Sequence, residues 1–169
     1  MRRASALAMA ACLLWSCAVA AAEPKTLRFG QMELAYDGER WRPEFAGDAT
    51  ISMQAAGAIA RKLDTIAIAR APTEGLEGCK ELGQRQFIGS LYDEPKTSPI
   101  EVAGVAGIRL SAHTRCRNAT PKGVVVCLPY RGTGYVLKAT QTGCRSPGYN
   151  LFSGIDPLQE LLDGIRFVP

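Results

Sequence analysis

The sequence predicts an α+β domain, an antiparallel sheet with helices packed on it. Three observations lead there. Short segments that alternate apolar and polar residues follow one another in runs, as half-buried strands do. Only two stretches carry a helical stripe with start and stop signals. Strands in runs with few helices favour antiparallel pairing over a βαβ arrangement.

Leu27 and Phe29, then Met32, Leu34 and Tyr36, alternate at period two. Asp37-Gly38 supplies a dipeptide favoured in tight hairpin turns, with Trp41 on the return strand. Residues 49–63 are ambiguous: Ile51 and Met53 alternate, whereas Met53, Ala56, Ala60 and Leu63 form a helical stripe. Thr65 to Ala69 (TIAIA) reads as a buried strand. Thr73 then serves as the N-cap of a helix whose inner face is Leu76, Cys79, Leu82, Phe87 and Leu91, ending before Pro95. This helix would bury Cys79 against the sheet, within reach of a disulfide partner. The acidic pair Asp93-Glu94 reads as a solvated loop at its end.

Ile108, Leu110, Ala112, Thr114 and Cys116 alternate again. Val124–Tyr130 and Tyr135–Thr140 read as strands joined by the glycine loop Arg131-Gly132-Thr133-Gly134. Asp156-Pro157-Leu158-Gln159 is a helix start, with Asp at N-cap, Pro at N1 and Gln at N3 completing a capping box. Leu158, Leu161 and Leu162 face inward, Gly164 stops the helix, and Ile165-Arg166-Phe167 returns as an edge strand.

The strand GYVLKAT, the leucine-bearing helix DPLQELLDGI and the closing IRF resemble the end of PsbP/Mog1-like domains. Gly164 stands where that family often has Ser. The likeness covers about the last forty residues by motif and the remainder by pattern. It implies an α/β/α sandwich used mostly for accessory or binding roles, with no shared catalytic residue to carry over.

The N-terminus has the build of an export signal over residues 1–22. Arg2 and Arg3 are followed by an apolar run from Ala6 to Val19 and by Ala20-Ala21-Ala22. That run is shorter than the roughly 20 residues a membrane span needs. An alternative use of Cys17 as a lipoprotein cysteine places the bulky Trp15 where small side chains are required. Cleavage near Ala22 leaves residues 23–169 as one domain, periplasmic or secreted. The mature chain has no second long apolar run, internal repeat or low-complexity linker.

Four cysteines remain beyond the leader: Cys79, Cys116, Cys127 and Cys144. An even number in an exported chain reads as two disulfides. A type I turn at Thr120-Pro121-Lys122-Gly123 would set Cys116 directly opposite Cys127, which leaves Cys79 to pair with Cys144.

A zinc site is poorly supported, because no C-x-x-C occurs and odd spacing points His113 and Cys116 to opposite strand faces. Met32 and Met53 alone do not make a thioether copper site. Neither a metal nor a cofactor is expected. The chain's single histidine confines any Ser–His or Cys–His device to His113, and no G-x-S-x-G elbow presents a serine. Ser111, two residues away on the same face, reads as an ordinary strand residue. Arg115 and Arg117 would depress the Cys116 thiol, so the alternative reading is an envelope thiol-redox or hydrolytic enzyme using Cys116 and His113. Asn118-Ala119-Thr120 matches a glycosylation sequon that the turn already explains.

Charge is unevenly placed. Residues 102–155 contain no Asp or Glu, but seven basic side chains: Arg109, Arg115, Arg117, Lys122, Arg131, Lys138 and Arg145. Residues 23–101 hold 10 basic and 13 acidic side chains, and 156–169 one basic and three acidic. The bland outcome is a basic sheet face paired with acids from the N-terminal half. The functional outcome is a non-enzymatic accessory or binding protein whose basic region meets an acidic envelope protein, an anionic glycan or a lipid headgroup. The glycine loop at 131–134 opens no helix, so it lacks the setting of a phosphate-binding P-loop. Modest net charge in an exported chain argues against nucleic acid.

Overall fold

The computed structural model describes residues 23–56, 65–88, 93–113, 122–140 and 157–169. Residues 1–22, read above as an export signal, Cys116, Cys144, Arg115, Arg117, Arg145, Leu91, the predicted turn start at Thr120-Pro121 and the predicted cap Asp156 lie outside them.

Among the described residues, ten strands and two helices follow in the order β1 (Lys25–Phe29), β2 (Met32–Tyr36), β3 (Trp41–Phe45), β4 (Thr50–Ala55), β5 (Thr65–Pro72), α1 (Gly75–Arg85), β6 (Lys96–Val102), β7 (Val105–His113), β8 (Lys122–Tyr130), β9 (Thr133–Thr140), α2 (Pro157–Asp163) and β10 (Ile165–Phe167). The large sheet runs β3-β4-β5-β9-β8-β7-β6 and the small one β1-β2-β10; every pairing is antiparallel. The predicted α+β class is the observed one.

Two cores result, one on each face of the large sheet. Between the sheets, Phe29, Met32, Leu34 and Ile165 meet Trp41, Ile51, Met53, Ile66, Ile68, Val126, Leu128 and Leu137, with Leu158, Leu161 and Leu162 of α2 closing the layer. On the opposite face α1 lays Cys79, Leu82 and the following Phe87 over Ile108, Leu110, Ala112, Val125, Cys127 and Val136. One outer layer is therefore α1, and the other is shared by α2 and the small sheet. Trp41 ties that second layer in: its Nε1 donates to Glu160 Oε1 at 3.2 Å, and Arg40 meets Glu160 Oε2 at 2.9 Å.

Several expectations are corrected. The β1–β2 hairpin turns at Gly30-Gln31, with Phe29 opposite Met32. Asp37-Gly38 instead begins a turn that carries the chain from the small sheet to the large one; Glu39 and Trp41 donate their backbone N–H groups to Asp37 Oδ1 and O at 2.8 and 2.9 Å. The ambiguous stretch resolves into β4 at its start, with Ile51 and Met53 buried.

Helix α1 begins one residue later than predicted, with Glu74 at the N-cap and no side-chain cap bond. Thr73 is held in the strand end by its N–H to Gly132 O at 3.0 Å, and its hydroxyl packs against Gly78. Leu76 is exposed and the helix stops at Arg85, though Phe87 stays buried in the turn beyond. Strand β6 went unpredicted because Pro99 interrupts it. It is an edge strand, where a missing N–H costs no ladder bond.

Candidate functional site

The disulfide of the described structure joins Cys79 to Cys127, with Cα atoms 5.4 Å apart. The predicted Cys116–Cys127 and Cys79–Cys144 pairs are thereby overturned. The physical reason is register. β7 and β8 pair His113 with Lys122 and Ile108 with Cys127, so Lys122 and Gly123 already lie in the strand rather than in a turn. Val124 to Leu128 are buried on both faces, so no alternation along β8 records its register. Cys127 points to the face that α1 covers, and the helix brings Cys79 to it. Both cysteines are fully buried.

The three predicted basic side chains that can be placed point in different directions. Arg109, half-buried on β7, shares the inter-sheet face with Val126. Lys138 projects to the opposite face and donates from Nζ to Gln86 O at 2.8 Å, just past the C-terminus of α1, where a cation also complements the helix dipole. Burial pushes its pKa below 10.5. Arg131 is exposed at the β8–β9 tip, its Cζ 5.5 Å from the Tyr130 ring centroid. It has a positive φ of 48°, followed by Gly132 at 77°, which makes a tight primed turn of the predicted glycine loop. Lys122 is the first residue of β8. His113, exposed at the end of β7, accepts the Asp93 N–H on its backbone carbonyl at 2.7 Å.

Sequence reasoning missed a row of rings at this tip's end of the sandwich. Tyr130 stacks on Phe167 at 4.6 Å, Phe167 meets Tyr135 edge-on at 5.4 Å, and Tyr135 meets Phe29 edge-on at 6.4 Å. Arg131 covers one end of the row, and Arg70 the other, 5.2 Å from the Phe29 centroid. The rings come from three separated segments, so no local spacing reveals them. Arg28 and Arg70 were hidden for another reason: each stands in the half of the chain where acids outnumber bases.

A concavity of about 700 Å³ runs beside α1, lined by Thr73, Glu74, Glu77, Glu81, Leu82 and Arg85 among others. Its acids are partly answered on the helix itself, by Lys80 on Glu77 at 3.2 Å and Arg85 on Glu81 at 3.6 Å. Among the described residues no three of His, Cys, Asp and Glu gather as a metal-ligand set, and no helix is long and apolar enough to cross a membrane.

Two stacked sheets, one long helix on the outer face of the larger and a short helix before a closing strand define a PsbP-like fold. The solution structure of cyanobacterial PsbP from Synechocystis sp. PCC 6803 is similar at TM-score 0.60, with 11% identity over 91% of this chain and 98% of that one. A Bacteroides thetaiotaomicron protein of known crystal structure is similar at TM-score 0.52, with 7% identity over 87% of this chain; the match spans about half (48%) of that protein. At these identities the likeness is one of fold. No protein-family model matches the chain, and no curated protein sequence does.

Proposed function

We propose that the chain is an exported, non-enzymatic accessory or binding protein, released near Ala22 into an oxidising compartment, whose basic stretch 102–155 contacts an acidic partner or an anionic ligand. The observation that carries this reading is the Cys79–Cys127 bond. Structural disulfides persist outside the cytosol and are rare within it. Both sulfur-bearing residues are sealed between α1 and the sheet, away from any thiolate or substrate that turnover would require. The PsbP-like fold supports an accessory role by analogy of architecture, which is a weaker warrant than a site. The cationic stretch supports an anionic counterpart through long-range attraction, which salt screens.

The test is retention of the purified mature protein on an anionic matrix. Retention should weaken steeply with ionic strength and be lost when Arg115, Arg117 and Arg131 are replaced by Ser. Retention indifferent to salt and to those replacements would overturn the basic-contact reading. Recovery of the full-length precursor in the cytosolic fraction would overturn export.

A further inference from the structure

We propose that the end of the sandwich at the Gly30–Gln31 turn binds a carboxylate-bearing segment of a partner protein, with the Arg28 and Arg70 guanidinium groups as the donors to its anion. The proposal rests on the binding-protein reading above, but it uses arginines outside the 102–155 stretch.

Two cations from different sheets meet at one glycine. Arg28 donates from Nε to Gly30 O at 3.4 Å. Arg70 donates from Nε to the Asp48 carbonyl at 3.1 Å and stacks on Phe29. Gly30 has a φ of +64°, and a Cβ there would stand 2.9 Å from both Arg70 NH1 and Tyr135 Oη. The absence of a side chain therefore keeps a cradle open between a guanidinium edge and a phenol. Tyr135 Oη already accepts the Gln31 N–H at 2.9 Å, so its own proton remains to be donated.

The electrostatics of this turn are unbalanced. Each arginine uses one of its donors, and each on a neutral carbonyl. Among the described residues, the ion pairs join Arg40, Lys80 and Arg85 to glutamates, and none reaches Arg28 or Arg70. Glu33 stands opposite Arg28 in the β1–β2 register but forms no ion pair with it, and two guanidinium groups at one turn attract an oxyanion, their planar forks fitting a carboxylate in bidentate fashion.

The neighbourhood favours a peptide over a free ion. Phe45 is 60% exposed at the end of β3, next to the loop whose Asp48 carbonyl Arg70 holds. An exposed aromatic near an arginine-held loop matches the aromatic and arginine enrichment of protein-interface centres. An inorganic ion would have no use for the ring.

The experiment titrates isotope-labelled mature protein with three probes: a short capped glutamate-rich peptide carrying one phenylalanine, the same peptide with lysine for glutamate, and sodium sulfate at matched ionic strength. The acidic peptide should move the Gly30 and Gln31 amide signals and the Arg70 Nε signal, and the lysine peptide should leave them in place. Arg28→Gln and Arg70→Gln should each weaken the acidic peptide about tenfold, the loss of one charge-assisted contact. Arg28→Gln removes an exposed group and keeps the test usable if Arg70→Gln does not fold; Arg70→Lys should restore part of the affinity. Signals at the turn that ignore the acidic peptide, or variants that bind as the wild type does, would overturn the site. Sulfate binding as tightly as the peptide would overturn the peptide as occupant and leave a free-oxyanion site. Matrix retention that depends on Arg131 but not on Arg28 or Arg70 would overturn this site while leaving the proposed function standing.

Discussion

The Lys138 ammonium is held against the end of α1, where it donates to the Gln86 carbonyl and is partly withdrawn from water. Burial disfavours its charged form and lowers its pKa from 10.5. A cation with a depressed folded-state pKa loses its proton from the folded protein first. As pH climbs from that folded value towards 10.5, the unfolded chain binds more protons and folding becomes relatively more favourable. The urea midpoint of wild type should therefore rise relative to that of Lys138→Met across the alkaline window ending near 10.5. A wild-type midpoint that stays level with or falls relative to the variant's over that window would contradict the assignment. In the sequence Lys138 is one of seven basic residues between 102 and 155. Its position between Leu137 and Ala139, both buried on the other face, already marked it as pointing away from the inter-sheet core. That a helix end waits there was not readable, because it depends on where α1 lies. The cysteines divide in the same way. That cysteines form a disulfide was readable from their even count, whereas their pairing depends on a register that the doubly buried β8 does not record. Replacing both Cys79 and Cys127 with Ala should cost about 3–4 kcal/mol by chemical denaturation, as expected for releasing a closed loop of this length. Loss below about 1 kcal/mol would show that the bond does not constrain the unfolded chain.

At the level of elements, the join between α2 and β10 is closely packed around Gly164. Gly164 N–H bonds to Leu161 O at 3.2 Å, and its carbonyl accepts the Ala35 N–H at 2.9 Å. A Cβ at this position would run into the Ala35 carbonyl oxygen, which is backbone and has no room to give. Gly164→Ala should thus cost about 3 kcal/mol or more, at the upper end of overpacking effects, and should show as a lowered urea midpoint. A neutral result would mean that β10 is free to move off β2. The ending DPLQELLDGIRF was legible because caps, leucine spacing and the glycine stop all agree within a dozen residues. The β8–β9 hairpin was legible for the same reason. β6 was not, since Pro99 and its exposed polar residues carry the pattern of an edge, which resembles a loop in sequence. The Asp37-Gly38 turn was recognised as a turn but given the wrong partner strand. Local chemistry specifies that a chain reverses, whereas the sheet it joins afterwards is decided by the distant contacts of Trp41.

For the molecule as a whole, the α+β class was accessible from runs of alternating strands with few helices, and the PsbP-like architecture from the resemblance carried by GYVLKAT, DPLQELLDGI and IRF in about the last forty residues. The candidate site was less accessible. The basic stretch stood out as a linear feature, yet the side chains that can be placed diverge: Arg109 between the sheets, Lys138 under α1 and Arg131 at the hairpin tip. The convergence of Arg28 and Arg70 at Gly30 is a product of the fold and has no linear signature. The proposed function rests on the buried Cys79–Cys127 bond. The most direct measurement is a peptide map of protein isolated under thiol-blocking, non-reducing conditions. The account predicts a linked pair of peptides containing Cys79 and Cys127. Blocked free thiols at those two positions, or Cys127 found joined to Cys116, would contradict it.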